Sequence, residues 1–436
     1  VTETVLIGIG LTALAFLGAP IFAVIGAIGL VAFHFAGIDS SAIIVEMFRI
    51  ASAPTLLAIP LFTFAGYMLA ESRTPKRLVA LSQALLGWIP GGVAVVALAS
   101  CAVFTAFTGA SGVTIIALGG LLYPILREQH YSERFSLGLL TTSGSLGLLF
   151  PPSLPLILYG MVASNARSVG GGVPDVSIDK LFVAGIIPGI VLVVLLSAYS
   201  VRKNARTATI PFSWNNAMAA LRASAWEVPL PFLILGGIYG GLFTATEAAS
   251  ITVVYVFIVE VFVYRDLSLT GDVPRVMRES VVLVGAILII LGVAMGLTNY
   301  LIDEEVPMKL FEFVRSVVTS KEVFLILLNL FLIVVGMMMD IFSAIIVVVP
   351  LIIPIATAYG IHPVHLGIIF LTNLEIGYLT PPVGLNLFIS SYRFEKSIPQ
   401  VLRSVVPFFL ILLAGLALIT YIPELSTFLI DRLHVR

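Results

Sequence analysis

No Asp, Glu, Lys or Arg occurs in residues 4–38, 78–126, 135–166, 280–302 or 341–374. Runs this long without charge belong in lipid, where every backbone N–H and C=O must be satisfied inside the protein. About 20 apolar residues cross a bilayer core as a helix, so several of the runs hold more than one element and about ten to twelve crossings are expected. Charged residues make up 11% of the chain, against about 25% in soluble domains. The chain is therefore an all-α polytopic membrane protein rather than a soluble domain with an anchor. A formal net charge of -1 argues against a nucleic-acid partner. The single Cys101 excludes an intrachain disulfide framework. The first run is too long for a signal peptide and lacks a basic start, so it reads as a mature first helix.

Two halves of the sequence match. Ser143–Leu156 reads SGSLGLLFPPSLPL, and 230 residues later Asn373–Asn386 reads NLEIGYLTPPVGLN. The same offset pairs Gly147 with Gly377, Pro124 with Pro354 and Gly66 with Gly296. Interrupted apolar segments at corresponding places in two halves are the sequence pointer to a transporter binding site built from broken helices. The expected organisation is a first repeat over 1–201, a linker over 202–227 and a second repeat over 228–436. Each repeat holds a hairpin (about 100–126 and 323–358) and a broken helix (about 135–165 and 364–391). The linker carries Arg202, Lys203, Arg206 and Arg222 with no acid before Glu227, which places it on the cytoplasmic side. A second hydrophilic loop covers 166–180, with Gly170–Gly172 in it, and a third covers 265–279. Arg73 to Trp88 and Lys309 to Arg315 read as interfacial helices lying along the bilayer surface.

Proline cannot donate the helical hydrogen bond and clashes with the preceding turn. Two in succession, four residues after a glycine, leave carbonyls that protein, cavity water or an ion must satisfy. Gly147–Ser153 and Gly377–Gly384 therefore suit sodium, with a hydroxyl at Ser153 or Thr380; the competing reading is a pair of packed proline kinks. The stretch Thr108-Gly-Ala-Ser-Gly-Val-Thr114 offers three hydroxyls and, at a helix N-terminus, free N–H groups for an anion; small residues are also ordinary packing material in membranes. Asp340 lies between two apolar runs, and a carboxylate at a helix centre costs about 2.5–3.5 kcal/mol, so it faces a cavity or a partner. Glu375 and Glu247 raise the same question. Asn373 and Asn386 flank the second Pro-Pro site, where they can orient substrate or ion. The five histidines are scattered and form no metal site.

LLAIPLFTFAGYMLAES (56–72), the TGASGVT turn, GLLFPPSLPLILYG (147–160), VSIDKLFVAGIIPG (176–189), GLFTATEAAS (241–250), GMMMD (336–340) and NLEIGYLTPPVGLNLFI (373–389) together resemble the DctM-type large membrane subunit of TRAP transporters, the tripartite ATP-independent periplasmic family. The likeness covers nearly the whole chain. It implies inverted repeats with two re-entrant helical hairpins, an elevator motion, and sodium-driven import of small organic acids such as dicarboxylates or sialic acid. It implies two partners, a small four-helix membrane subunit and a periplasmic substrate-binding protein. It also implies a multi-pass location in a bacterial or archaeal cytoplasmic membrane, two or more sodium ions, and no organic cofactor. Carried over by position, the first sodium site draws on Thr108, Ser111, Gly147, Phe150 and Pro152, and the second on Gly336, Gly377, Thr380 and Val383. Ser153, Asp340, Asn373 and Asn386 are the candidates for substrate binding or coupling. The chain departs from the family at TGAS, where SGSS is commoner, losing a hydroxyl at Ala110, and at Phe150, which replaces a smaller aliphatic residue.

Two other functions compete. A self-sufficient sodium/carboxylate symporter shares the repeats and hairpins but needs no binding protein. An intramembrane serine protease would use Gly109-Ala-Ser-Gly112 as its nucleophile motif and would need a histidine base within hydrogen-bond reach of Ser111. The transporter assignment, with no enzymatic activity, is the expectation taken forward.

Overall fold

A computed structural model of the chain describes residues 17–37, 39, 41–165, 176–204 and 211–433, with Gly10 and Ala13 as isolated positions. Most of the 166–180 loop, including Gly170–Gly172, and residues 205–210 of the linker, with Arg206, lie outside the described residues. The first half runs through α1 (Ile21–Ala36), α2 (Ser41–Ala51), a 3-10 turn at Pro54–Leu57, α3 (Ala58–Glu71), α4 (Thr74–Leu86), α5 (Gly92–Thr108), α6 (Ser111–Glu128), α7 (Glu133–Ser143), a 3-10 turn at Leu146–Leu149, α8 (Leu154–Asn165) and α9 (Ile178–Lys203). Within the linker segment lies α10 (Trp214–Ala223). The second half comprises α11 (Pro229–Tyr239), α12 (Ala245–Ile258) with a π-helical turn at Val259–Val263, α13 (Asp272–Asp303), α14 (Val306–Val317), α15 (Lys321–Met338), α16 (Ile341–Ala358), α17 (Pro363–Gly377), α18 (Leu385–Phe394), α19 (Ile398–Tyr421) and α20 (Glu424–Leu433).

Among the described residues, seven helices are long and apolar enough to cross a membrane, or eight if the pair Glu133–Leu149 and Leu154–Asn165, bent by 44°, is one span. That is fewer than the ten to twelve expected from the runs. Interruption explains the difference: Gly92–Thr108 and Pro363–Gly377 are apolar but stop short of a full span at their breaks, and Ile21–Ala36 and Pro229–Tyr239 are also short.

The repeats are inverted, and the ends of α13 show it. Arg275, near its start, bridges to Glu71 at the end of α3 at 2.6 Å, so both ends share one face with α4, which follows α3 directly. At about 1.5 Å per residue, α13 reaches the opposite face, where α14 begins. The corresponding helices α4 and α14 thus lie on opposite sides. Hairpin arms and broken helices then pack in a matched pattern. α5 lies on its own half's broken helix at Leu146–Leu149, and α15 on α17; the second arms cross over, α6 packing on α18 and α16 on α8.

Glycine sets the closest of these approaches. A Cβ on Gly147 would lie 2.2 Å from the Ala102 carbonyl oxygen, and one on Gly377 would lie 2.5 Å from the Gly336 carbonyl carbon. The two glycines thus do the same work in the two halves. The pair Gly66 and Gly296 does not: Gly66 abuts the Phe107 carbonyl oxygen at 2.3 Å, whereas Gly296 meets the Ile43 side chain. A third point of fixation is ionic. Arg77 of α4 bridges Asp266 at 2.6 Å and Glu260 at 3.2 Å, and is paired with Glu227. Its guanidinium stacks over Tyr264, whose hydroxyl donates to Glu227 at 2.9 Å. The three carboxylates are at most 5% exposed, so this cation holds α4, the linker's end and the end of α12 together.

Two stability predictions follow from these contacts. Gly377→Ala forces a methyl into the Gly336 backbone and is expected to cost about 1–3 kcal/mol. Gly285→Ala, whose methyl meets nothing within 4 Å, should be neutral or stabilising because alanine is the better helix former by about 1 kcal/mol. Thermal unfolding in detergent compares the two, and equal midpoints would contradict the packing account. Arg77→Gln leaves buried carboxylates unpaired and is expected to cost about 3–5 kcal/mol; Arg275→Gln, in a solvent-exposed network, should be nearly silent in the same assay.

Candidate functional site

Four helix breaks meet in the middle of the protein. The first lies between α5 and α6, where Gly109 takes a left-handed φ of 64°. A Cβ there would strike the Leu154 side chain at 2.7 Å, which seats this tip on the second break, Phe150–Ser153. The third, Met339–Asp340, separates α15 from α16. It lies against the fourth, Tyr378–Gly384, through Gly336 and Gly377 and through the Gly384 amide, which donates to the Met337 carbonyl at 3.3 Å. Both Pro-Pro peptide bonds, 151–152 and 381–382, are cis. The halves are joined at this centre by Asn386 of α18. Its Oδ1 accepts from Ser111 Oγ at 2.8 Å, and its Nδ2 donates to the Thr141 carbonyl at 3.5 Å.

Each break pairs a carbonyl-bearing helix C-terminus with an amide-bearing N-terminus. The first carries partial negative charge and the second partial positive charge. Such a centre offers places for a cation and for an anion without any buried formal charge of its own. Several buried side-chain oxygens near the breaks are without a partner and so are open to a ligand. Thr108 Oγ1 and Ser153 Oγ are fully buried and have no hydrogen-bond partner, and the same holds for Asn373 Oδ1 and both oxygens of Glu375. Hydroxyl, amide and carbonyl oxygens are the donor set that a hard cation takes. Ser111 Oγ, having given its proton to Asn386, keeps its lone pairs for such an ion.

The residues singled out in the sequence fall into three groups. Thr108, Ser111, Gly147, Pro152, Ser153 and Asn386 are buried around the first two breaks, with Phe150 half-buried beside them. Gly336, Gly377, Thr380 and Val383 surround the last two; the Thr380 hydroxyl donates back to the Ile376 carbonyl at 3.0 Å, and Val383 is 46% exposed. Asn373 stands apart, and Asp340 sits on the third break itself. The Asn373 amide donates to Asn329 Oδ1 and to the Ile369 carbonyl, both at 2.8 Å. Asp340 is the N-cap of α16, its Oδ1 accepting from the amides of Phe342 and Ser343 at 3.0 Å. Glu247, also a carboxylate in an apolar setting, closes a capping box with Thr244 at the start of α12.

Sequence reasoning missed three contributors. Tyr378 Oη accepts from the Ile341 amide at 2.5 Å and so ties the fourth break to the third. Thr105 Oγ1 contacts Thr114 Oγ1 at 2.7 Å and donates to the Gly144 carbonyl at 2.9 Å, bracing the first hairpin against the first broken helix. Asn329 links Asn373 to Thr420. Tyr378 was visible as the residue after Gly377 in the repeated motif, but its counterpart Leu148 has no hydroxyl, so the repeat concealed it. Ser111 has Asn386 as its hydrogen-bond partner rather than a histidine, which removes the base that a protease would need.

Comparison with known proteins identifies the family. Residues 8–425 match the family described as Tripartite ATP-independent periplasmic transporter, DctM component. The C4-dicarboxylate TRAP transporter large permease protein DctM of Rhodobacter capsulatus is 36% identical over 85% of this chain and 86% of its own length. The ectoine TRAP transporter large permease protein TeaC of Halomonas elongata is 29% identical over 96% of both. The crystal structure of the Alcanivorax borkumensis YdaH transporter superposes with a TM-score of 0.61 at 14% identity, covering 87% of this chain and 86% of that one, a likeness of fold. These relatives are transporter permeases rather than enzymes, and the chain belongs to the DctM family of TRAP transporter large membrane permeases.

Proposed function

We propose that the chain imports small organic acids together with sodium, as the large membrane subunit working with a small membrane subunit and a periplasmic substrate-binding protein in a bacterial or archaeal cytoplasmic membrane. The observation that carries this is the meeting of four helix breaks around Ser111 and Asn386, with Thr108 and Ser153 orphaned beside them. Sodium is taken at two places. Thr108 and Ser111 with the carbonyls of Gly147, Phe150 and Pro152 form one; Gly336, Gly377, Thr380 and Val383 form the other. Ser153 and Asn386 face the acid. The relatives are named for C4-dicarboxylates, ectoine and isethionate, which bear carboxylate or sulfonate groups, so the common feature to be recognised is an acidic oxyanion head group. No arginine is needed for that where helix N-termini supply the positive end.

Coupling follows from mutual charge compensation. An anion entering among the amide ends is disfavoured until cations occupy the carbonyl ends, and the loaded centre then crosses as one body. The interfacial helices α4 and α14, on opposite faces, brace that body in an elevator movement. Each net positive charge carried inward gains about 2.3 kcal/mol per 100 mV, which alone supports roughly fortyfold accumulation at 1.4 kcal/mol per tenfold.

Uptake into proteoliposomes holding this chain and its small subunit tests the assignment, with succinate, malate, N-acetylneuraminate and ectoine as the panel, each with and without a binding protein. Uptake of one acid is expected to require both sodium and the binding protein. Rates unchanged when choline replaces sodium at constant ionic strength would refute sodium coupling, and sodium-driven uptake without the binding protein would make the chain a self-sufficient symporter. Within the same assay, Ser111→Ala is expected to raise the half-saturating sodium concentration severalfold. Ser250→Ala, whose exposed hydroxyl donates back to the Thr246 carbonyl within α12, should leave it within twofold.

A further inference from the structure

Away from the helix breaks, the corner where α7 and α19 begin carries positive charge that nothing else in the protein uses. The two helices lie against each other at close range: a Cβ on Gly138 would come within 2.2 Å of the Ser404 carbonyl oxygen, and the Phe135 and Phe408 rings are 5.5 Å apart. Their starts are tied together, Lys396 to Glu133 at 2.5 Å and the Arg134 guanidinium to the Arg403 carbonyl at 2.9 Å. Between them lies a pocket of about 520 Å³, lined by Glu133, Arg134, Ser397, Gln400, Arg403 and Ser404 among others.

The charges in this pocket do not balance. Glu133 is paired with Lys396 and also accepts from Gln400. Arg134 gives its donors to a backbone carbonyl, which leaves its charge uncompensated. The exposed Arg403 side chain has no ion pair or hydrogen bond among the described residues. Two guanidinium charges therefore stand at one corner, and the positive ends of two helix dipoles add to them.

Position in the bilayer narrows what can answer that charge. A Cβ on Gly91 would lie 3.2 Å from Val201 Cα, so the first hairpin enters beside the end of α9, where the linker begins. Its second arm α6 returns to that side and α7 leaves from it. The pocket thus opens on the linker's face, which the basic residues assign to the cytoplasm. From there α19 runs into the membrane, and Arg403, Val406 and Leu410 fall at i, i+3 and i+7 on one stripe of it. Val406 is 44% exposed and Leu410 58%, whereas Val405, Phe408 and Leu412 on the other side are buried. At about 1.5 Å per residue, Leu410 lies about 10 Å deeper than Arg403. A cationic pocket at the surface continued by an open apolar stripe fits an amphiphile with an acidic head rather than a free anion.

We propose that this corner binds an anionic phospholipid of the cytoplasmic leaflet, its phosphate held by Arg134 and Arg403 and an acyl chain laid along Val406 and Leu410. Basic pockets on the cytoplasmic side of membrane helices take such head groups. The site concerns lipid and not the transported acid, so it stands or falls independently of the importer reading.

The permease, purified with its small subunit in neutral detergent, is titrated with dioleoylphosphatidylglycerol or dioleoylphosphatidylcholine, and binding is read from the lipid-dependent rise in unfolding temperature. Phosphatidylglycerol is expected to bind the more tightly. Arg403→Gln is expected to keep the lipid-free midpoint and to weaken phosphatidylglycerol binding about fivefold, the effect of one arginine near the surface. Arg403→Lys, which keeps the charge, should lose less. Arg278→Gln, an exposed cation on the same face, should stay within twofold of wild type. Glycerol 3-phosphate, a head group without chains, should give no shift at concentrations where the lipid saturates. Equal binding of the two lipids, unchanged affinity in Arg403→Gln, or an equal loss in Arg278→Gln overturns the site. A shift with glycerol 3-phosphate as large as with the lipid overturns the lipid assignment in favour of a free phosphate.

Discussion

Everything in this molecule depends on the rule that backbone hydrogen bonds cannot go unmade in lipid. Most of the chain obeys it by continuous helices. At four places it does not, and the ends left over are gathered at one point instead of being scattered along the bilayer. Gathering them has a cost, since helix ends that approach so closely leave no room for side chains. Gly147 and Gly377 meet that demand where each hairpin's first arm lies on its broken helix. Orphaned oxygens such as Thr108 Oγ1 and Ser153 Oγ are then a consequence of the architecture.

Inversion of the repeats is what allows four breaks to meet. Because the second half runs the other way, the two hairpins enter from opposite faces and their second arms cross onto the partner half's broken helix, α6 on α18 and α16 on α8. Neither repeat could build the centre alone. The hydrogen bond from Ser111 to Asn386 at 2.8 Å joins residues 275 positions apart in the chain and belongs to both halves. A structure assembled this way resists independent movement of its halves.

The architecture was legible in the sequence to the extent that it is written in residue types with strong physical preferences. Charge-free runs, Pro-Pro doublets and matched glycines led to the hairpins, the broken helices and most of the buried oxygens. What stayed hidden depended on direction, which composition does not carry. Asp340 looked like a carboxylate stranded among apolar residues, yet it begins a helix and caps it, and Glu247 does the same through the T-x-x-E signature at Thr244. Tyr378 escaped notice because aromatic residues in membrane helices are ordinary, and only the fold brings its hydroxyl to the Ile341 amide. Fewer of the described helices reach a full span than the runs suggest, because a run of apolar residues does not reveal that its helices stop half-way.

Formal charge and dipolar charge are used in different places. Arg77 and its three carboxylates sit where α4 meets the linker, buried and paired with one another. At the centre the polar groups that meet are backbone ends, hydroxyls and carboxamides, with the Asp340 carboxylate capping α16 at the third break and the buried Glu375 carboxyl near them. A fixed ion pair there would hold its own partner at every stage and compete with any ligand that came and went. Helix ends carry only partial charges, so they hold a ligand less tightly than a fixed ion pair holds its own partner. They can release both ligands and still remain tolerable to bury. That property suits a site that must be full during one crossing and empty during the next, and it gives a physical reason for a transporter to place broken helices rather than arginines at its core.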